Sequence, residues 1–189
     1  SSVVVRIVEA FTNMDTLEKA VACGKIVSCM ASCGILWVAN GIITEWGLSK
    51  KVRNLIMLFL AFSPQFFLMG GRVNADSLVC FFMSFVMLFT IRWYRNPDAK
   101  NTILLALGYG LGMMTKISIA ILVPITGMVL LIRYVEWLRK KEISRVCKNM
   151  GLFSLIAFPL GLWFLVRNAI LFGQKFFYVL EPEKYGELY

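Results

Sequence analysis

Long apolar runs separated by short polar segments make up most of this chain. Runs at Val21–Ile43, Ser77–Tyr94 and Met150–Val166 are each long enough to cross a bilayer as an α-helix, which takes about 17–25 residues. A fourth run, Asn54–Met69, also qualifies, and like Ser77–Tyr94 it lies at the short end of that range. The pattern therefore predicts several membrane-spanning helices joined by short loops.

One further apolar stretch, Thr102–Ile132, is interrupted by Lys116, and the distribution of basic residues indicates whether it forms one helix or two. If the chain turns back at Lys116, the loops of one side carry twelve basic residues and those of the other only Arg72, Lys116 and Arg167. A single helix would leave seven on each side, without the bias that membrane proteins show. We therefore predict two short helices that meet at Lys116. The twelve residues, on the predicted cytoplasmic side, are Lys50, Lys51, Arg53, Arg92, Arg95, Lys100, Arg133, Arg139, Lys140, Lys141, Arg145 and Lys148.

The composition supports a polytopic membrane protein and excludes other classes. Of the 189 residues, 59% are hydrophobic, which is more apolar surface than a soluble domain buries. The net charge of +9 comes largely from basic residues in short loops, so it indicates membrane topology rather than nucleic-acid binding. We expect an all-α fold of about six transmembrane helices, surrounded by membrane lipids.

The sequence shows no evident cofactor site. Its five cysteines lack the paired spacing of a zinc site, and the chain contains no histidine. We interpret the cysteines as small buried hydrophobic residues. No sequence feature supports a divalent cation either.

The sparsely basic side carries a candidate site. The segment GGRVNADSLVCFF places Arg72, Asn74 and Asp76 between two apolar runs, and the predicted topology puts Lys116 and Arg167 on the same face. Charged groups at membrane depth are costly and commonly face a functional cavity. Each also has a simpler explanation: Asp76 as a helix cap, Lys116 as a side chain that reaches the headgroups, and Arg167 as an interfacial anchor. Their occurrence on one face favours the functional interpretation.

Such a set of charges suits an anionic lipid substrate. Lysine and arginine hold phosphate or diphosphate groups well. In glycosyl transfer from a lipid phosphate, negative charge builds up on the leaving phosphate, and preplaced cations stabilise that transition state. A carboxylate can take the proton of the acceptor or orient the group that does. The alternative is a transporter or lipid flippase, because short helices interrupted by Gly and Pro also occur at transport sites.

Three segments carry a family resemblance: FSPQFFLMGGRVNADSLVCFFMSFVMLFTIRWYR, ALGYGLGMMTKISIAILVP and LGLWFLVRNAILFGQKFFYV. In this order they resemble the membrane half of GT-C-fold glycosyltransferases. The nearest subset is the bacterial relatives of dolichyl-phosphate-mannose–protein mannosyltransferases, which include lipid A aminoarabinose transferases. The resemblance covers about residues 55–180. It implies a multi-pass enzyme of the bacterial plasma membrane that uses a polyprenyl-phosphate sugar donor and works on the extracytoplasmic face.

The resemblance also implies roles for individual residues. Asp76 matches the acidic residue of the second external loop, and Lys116 in MMTK matches the cation that contacts the donor phosphate. Arg167 and Asn168 match the start of the next external segment, also near the donor. Arg72 and Asn74, which precede Asp76, are further candidates for substrate binding.

The chain departs from the family pattern at two places. Lys175 stands where the family has a proline, which alters the expected shape of that loop, and the first external loop with its catalytic acidic residue is missing, which points to a fragment. We therefore expect residues 1–189 to be a single incomplete transmembrane domain, truncated at both ends, without the primary catalytic base and inactive alone. Residues 1–19 would be an extracytoplasmic or interfacial segment, and residues 168–189 the start of another extracytoplasmic segment.

Overall fold

A computed structural model describes residues 16–71, 73 and 75–172, except for the side chains of some helical positions. This part of the chain is helical and contains no strand, as predicted. We number its α-helices α1 to α7; a 3₁₀-helix separates α5 from α6. The helices are α1 (Thr16–Glu45), α2 (Lys50–Ala61), α3 (Pro64–Gly71), α4 (Ala75–Arg95), α5 (Ala99–Thr115), the 3₁₀-helix (Ile117–Leu122), α6 (Val123–Arg139) and α7 (Ile143–Phe172).

Four helical segments of the described chain are long and apolar enough to cross a membrane. They include most of α1, all of α4, the 3₁₀-helix together with α6, and most of α7. Helix α5 has 17 residues, about 26 Å at 1.5 Å per residue, against a hydrocarbon core of about 30 Å. The chain is therefore an integral, multi-pass membrane protein. The four segments are Val21–Glu45, Ala75–Arg95, Ile117–Arg139 and Ile143–Trp163.

The predicted span Asn54–Met69 is wrong as a single helix. It is divided between α2 and α3, and the break falls at Phe62 and Ser63. Pro64 explains the break, because it lacks a backbone N–H and disfavours helical geometry in the residue before it. Pro64 is instead the first residue of α3, a position where its missing N–H costs nothing. Apolar residues lie on both sides of this break, and for that reason the sequence pattern predicted a single span.

The spans α1, α4 and α6 run in the same direction, as the contacts at one end of the bundle show. Glu45, the last residue of α1, accepts hydrogen bonds from Arg92 at 2.9 Å and Arg95 at 3.1 Å, at the end of α4. Arg133, in the second half of α6, donates to the carbonyl of Tyr94 at 2.6 and 3.0 Å. The carboxyl-terminal turns of α1 and α4 and the second half of α6 therefore lie together.

The starts of α5 and α7 join the same end. The Trp93 indole of α4 donates to the Thr102 hydroxyl of α5 at 2.9 Å, and that hydroxyl bonds to Asn149 of α7 at 2.6 Å. We call this the basic end, because the twelve basic residues that the sequence assigned to one side lie in the turns around it or within two turns of the helix ends that border it. The alternation predicted from charge is therefore present in the fold.

The core lies between α1, α4, α5 and the 3₁₀-helix. Its central members are fully or almost fully buried, and close helix approach requires small residues on α5. At Gly110, for example, a Cβ atom would lie 2.7 Å from the Cβ of Leu160 on α7. Packing between α5 and α7 thus depends on a residue without a side chain. The core residues are Val38, Val86, Leu88, Phe89, Leu105, Tyr109, Ile119 and Leu122.

Candidate functional site

The chain leaves α5 at Lys116, as predicted. This residue is extended, with φ −161° and ψ 135°, and it separates the last residue of α5 from the 3₁₀-helix. Its amide still donates to the carbonyl of Gly112 at 3.0 Å, which closes the last turn of α5. Beyond the break, α6 returns towards the basic end, where Arg133 contacts Tyr94. The 102–132 stretch is thus two antiparallel helices.

The turn brings Lys116 to Asp76, on the first turn of α4. The Lys116 Nζ atom donates to Asp76 Oδ1 at 2.7 Å, although 40 residues separate the two. Both side chains are about half exposed, at 50% and 46%, so a ligand has access to them. Asp76 is the second residue of α4, where a carboxylate also interacts favourably with the helix dipole. Its position therefore fits both the capping and the functional interpretation.

An apolar cavity of about 390 Å³ lies between α5, α6 and α7. Met113, three residues before Lys116, and Val123, seven residues after it, line this cavity, so one part of it lies close to the ion pair. Only two hydroxyl side chains line it, those of Tyr109 and Thr126. Its other lining residues are Gly127, Leu130, Phe153, Ala157, Phe158, Gly161 and Leu162. The cavity suits a hydrocarbon chain rather than a polar ligand.

The structure describes only part of the predicted site. Arg72 and Asn74 lie outside the described residues. Arg167 and Asn168 lie in the last two turns of α7, and their side chains are also outside the described part. Helix α7 continues to Phe172, beyond the candidate span that ends at Trp163, so the residues predicted to open the external segment are helical. Nothing between Arg167 and Phe172 breaks a helix.

Two residues near the ion pair were missed by sequence reasoning. Lys25 is an exposed cation in the first third of α1, next to Gly24, which packs against Val73 just before α4. The sequence feature that could have identified Lys25 is a charge inside an apolar run. Gly112 of α5 faces Ile119 of the 3₁₀-helix so closely that a Cβ atom would overlap it. In the sequence, only the position of Gly112 four residues before Lys116 could have identified it as important.

Comparison with known protein families agrees with this architecture. The sequence profile described as dolichyl-phosphate-mannose-protein mannosyltransferase matches residues 4–163. No curated protein and no solved structure matches the chain significantly. The matched region includes α1 to α6, most of α7, and both members of the Asp76–Lys116 pair. The chain therefore belongs to the dolichyl-phosphate-mannose-protein mannosyltransferase family, whose members are membrane glycosyltransferases of the GT-C type.

Proposed function

We propose that the full-length protein transfers a sugar, a hexose or a pentose, from a polyprenyl-phosphate donor to an extracytoplasmic acceptor. The observation that carries this proposal is the half-exposed Asp76–Lys116 pair next to an apolar cavity. A polyprenyl phosphate has the same two parts, an anionic head and a hydrocarbon chain. With the phosphate at Lys116, the first isoprene units would enter the cavity between α5, α6 and α7.

Lys116 has the charge and position to stabilise the leaving phosphate. When the bond between the sugar carbon and the phosphate oxygen breaks, the electron pair stays on the phosphate, and a nearby ammonium lowers the energy of that charge. An exposed ion pair contributes only about 0–1 kcal/mol to folding, so the Lys116 amine can leave Asp76 for the donor at little cost. The pair is therefore a resting arrangement of the proposed site.

Asp76 is the second acidic group of the proposed site. It holds the Lys116 ammonium at 2.7 Å before the donor binds. Once Lys116 contacts the phosphate, the Asp76 carboxylate would orient or deprotonate the acceptor hydroxyl. In this proposal Arg72, Asn74, Arg167 and Asn168 add donors for the phosphate, and the primary base comes from a segment upstream of this chain.

The test is donor consumption by the full-length protein in proteoliposomes. Release of polyprenyl phosphate from a polyprenyl-phosphate sugar is measured for the wild type, Lys116→Ala and Asp76→Asn. We expect each substitution to lower the rate by about 100-fold or more, the usual cost of losing a group that stabilises transition-state charge. Lys51→Ala, an exposed lysine of α2 at the basic end, is the matched control and should retain the wild-type rate.

Two results would overturn the proposal. Wild-type rates in both Lys116→Ala and Asp76→Asn would show that the pair has no part in transfer. Movement of the intact lipid across the bilayer without release of polyprenyl phosphate would instead identify a flippase. The isolated 189-residue chain should show no release in the same assay, since the proposed primary base is not part of it.

A further inference from the structure

A second cavity, of about 190 Å³, lies at the basic end, where α5 and α7 begin. It is separate from the Asp76–Lys116 pair, which lies at the opposite ends of α4 and α5. Two cations, Arg145 and Lys148, line it, one turn apart on α7. Its remaining lining residues are Pro97, Ala99, Asn149 and Leu152.

Two cations and two acids lie at this cavity. Glu142 accepts from Arg145 at 3.1 Å, and the Asp98 carboxylate accepts from the Asn101 backbone amide at 2.9 Å, capping the start of α5. Among the described residues, Lys148 has no acidic partner. Lys148 is therefore the cation that a bound anion can engage without breaking an existing ion pair.

The floor of the cavity is held rigidly by polar contacts. Asn149 is only 8% exposed; it receives a hydrogen bond from Thr102 at 2.6 Å and donates to the Arg145 carbonyl at 3.2 Å. The Arg145 guanidinium lies 4.8 Å from the centre of the Trp137 ring, where a cation–π contact limits its motion. The two cations thus border a cavity that exists without rearrangement.

We propose that this cavity binds the phosphate of an anionic glycerophospholipid from the leaflet at the basic end. A phosphodiester can contact Lys148 and the Arg145 guanidinium, which has N–H donors beyond the one bound to Glu142, and basic pockets between transmembrane helices bind such headgroups. Leu152 lines the side of the cavity that leads along α7 into the membrane, so the acyl chains would continue over an apolar surface. A soluble phosphate would use the cations but not this apolar side.

The test is lipid retention by the full-length protein. Protein purified from nanodiscs of equal phosphatidylglycerol and phosphatidylcholine is analysed by native mass spectrometry for bound lipid. We expect the wild type to retain phosphatidylglycerol preferentially, and Lys148→Gln to retain about fivefold less, which is the contribution of one basic residue near an anionic lipid. Lys51→Gln makes the same charge change at the same end, outside the cavity, and should retain as much as the wild type.

Three outcomes decide the proposal, and none depends on glycosyl transfer. Loss of retention in Lys148→Gln alone supports it. Equal retention in Lys148→Gln, Lys51→Gln and the wild type overturns it, since the cavity would then add nothing to the general attraction of the surface. Complete displacement of the lipid by millimolar inorganic phosphate would assign the cavity to a soluble anion instead. Arg145→Gln serves as a second variant, checked for folding by thermal unfolding because Arg145 also packs on Trp137.

Discussion

Lys116 donates a 2.7 Å hydrogen bond to Asp76, and the two residues stand at the end of α5 and the start of α4. The contact is made where the chain leaves helical geometry, at Lys116 between α5 and the 3₁₀-helix. Since both side chains are half exposed, the pair contributes little to folding. Its substitution therefore tests function more than stability.

Exchanging the two charges tests whether the ion pair supports the fold or acts on a phosphate. In Asp76→Lys combined with Lys116→Asp, the pair is kept but the cation moves to the start of α4. We expect stability within about 2 kcal/mol of the wild type, given the small energies of exposed pairs and helix dipoles. Donor consumption should stay about 100-fold below the wild type, because the cation then belongs to the start of α4 rather than to the end of α5, three residues from the cavity-lining Met113. Recovery of activity in the double variant would contradict the proposed role of Lys116.

Hydrophobic length and charge bias predicted the all-helical bundle and the reversal at Lys116. They did so because hydrophobic length reports which segments enter the lipid and the charge bias reports which loops stay on the cytoplasmic side. The same signals missed the break before Pro64, where residues on both sides are apolar and only the missing backbone N–H ends the helix. Backbone chemistry, rather than hydrophobicity, decides such positions.

The site was predictable in part for a similar reason. Asp76 and Lys116 could be assigned to one face from topology, and the structure brings them into contact. The distance between the two side chains and the role of Gly112 in the last turn of α5 could not be predicted, because both depend on side-chain packing between α5 and the 3₁₀-helix. The sequence did not predict the second cavity either, because Arg145 and Lys148 fit the pattern of ordinary cytoplasmic loop charges.

Gly112 is expected to hold the turn at Lys116 in place. In Gly112→Ala the new methyl group would overlap Ile119, which is fully buried, and would lie 3.1 Å from the Cβ of Phe82. Such overpacking costs about 1–3 kcal/mol, partly offset by the better helix propensity of alanine, about 1 kcal/mol. We expect a lower unfolding temperature in detergent together with slower donor consumption, since Lys116 is displaced with the turn.

Gly151→Ala provides the control for this substitution. Gly151 also lies within an α-helix, but a Cβ atom there meets no atom within 4 Å. Its replacement should leave stability unchanged or raise it by up to about 1 kcal/mol. Equal effects of the two substitutions would show that the approach of Gly112 to Ile119 is not important.

Thr102 is expected to stabilise the basic end through its hydroxyl. In Thr102→Val, which keeps the shape, the Trp93 indole and the Asn149 amide each lose a hydrogen-bond partner, and both are buried. Leaving buried polar groups unpaired costs about 1–3 kcal/mol. Thr44→Val is the control, because the exposed Thr44 hydroxyl bonds only within its own helix, to Asn40. The midpoint temperature of thermal unfolding, followed by tryptophan fluorescence, should be lower for Thr102→Val and unchanged for the control.

The orientation of the bundle can be tested with two cysteines at opposite ends. Cys147 is exposed near the start of α7, so the interpretation of the cysteines as buried residues is wrong for it. Val73, 55% exposed, precedes α4 close to Asp76. In a full-length protein whose other cysteines are replaced by alanine, a membrane-impermeant maleimide should label Cys147 only after the cells are permeabilised. Val73→Cys, in a protein without other cysteines, should be labelled in intact cells. The reverse pattern would place Asp76 and Lys116 on the cytoplasmic face, against the charge bias and against an extracytoplasmic acceptor.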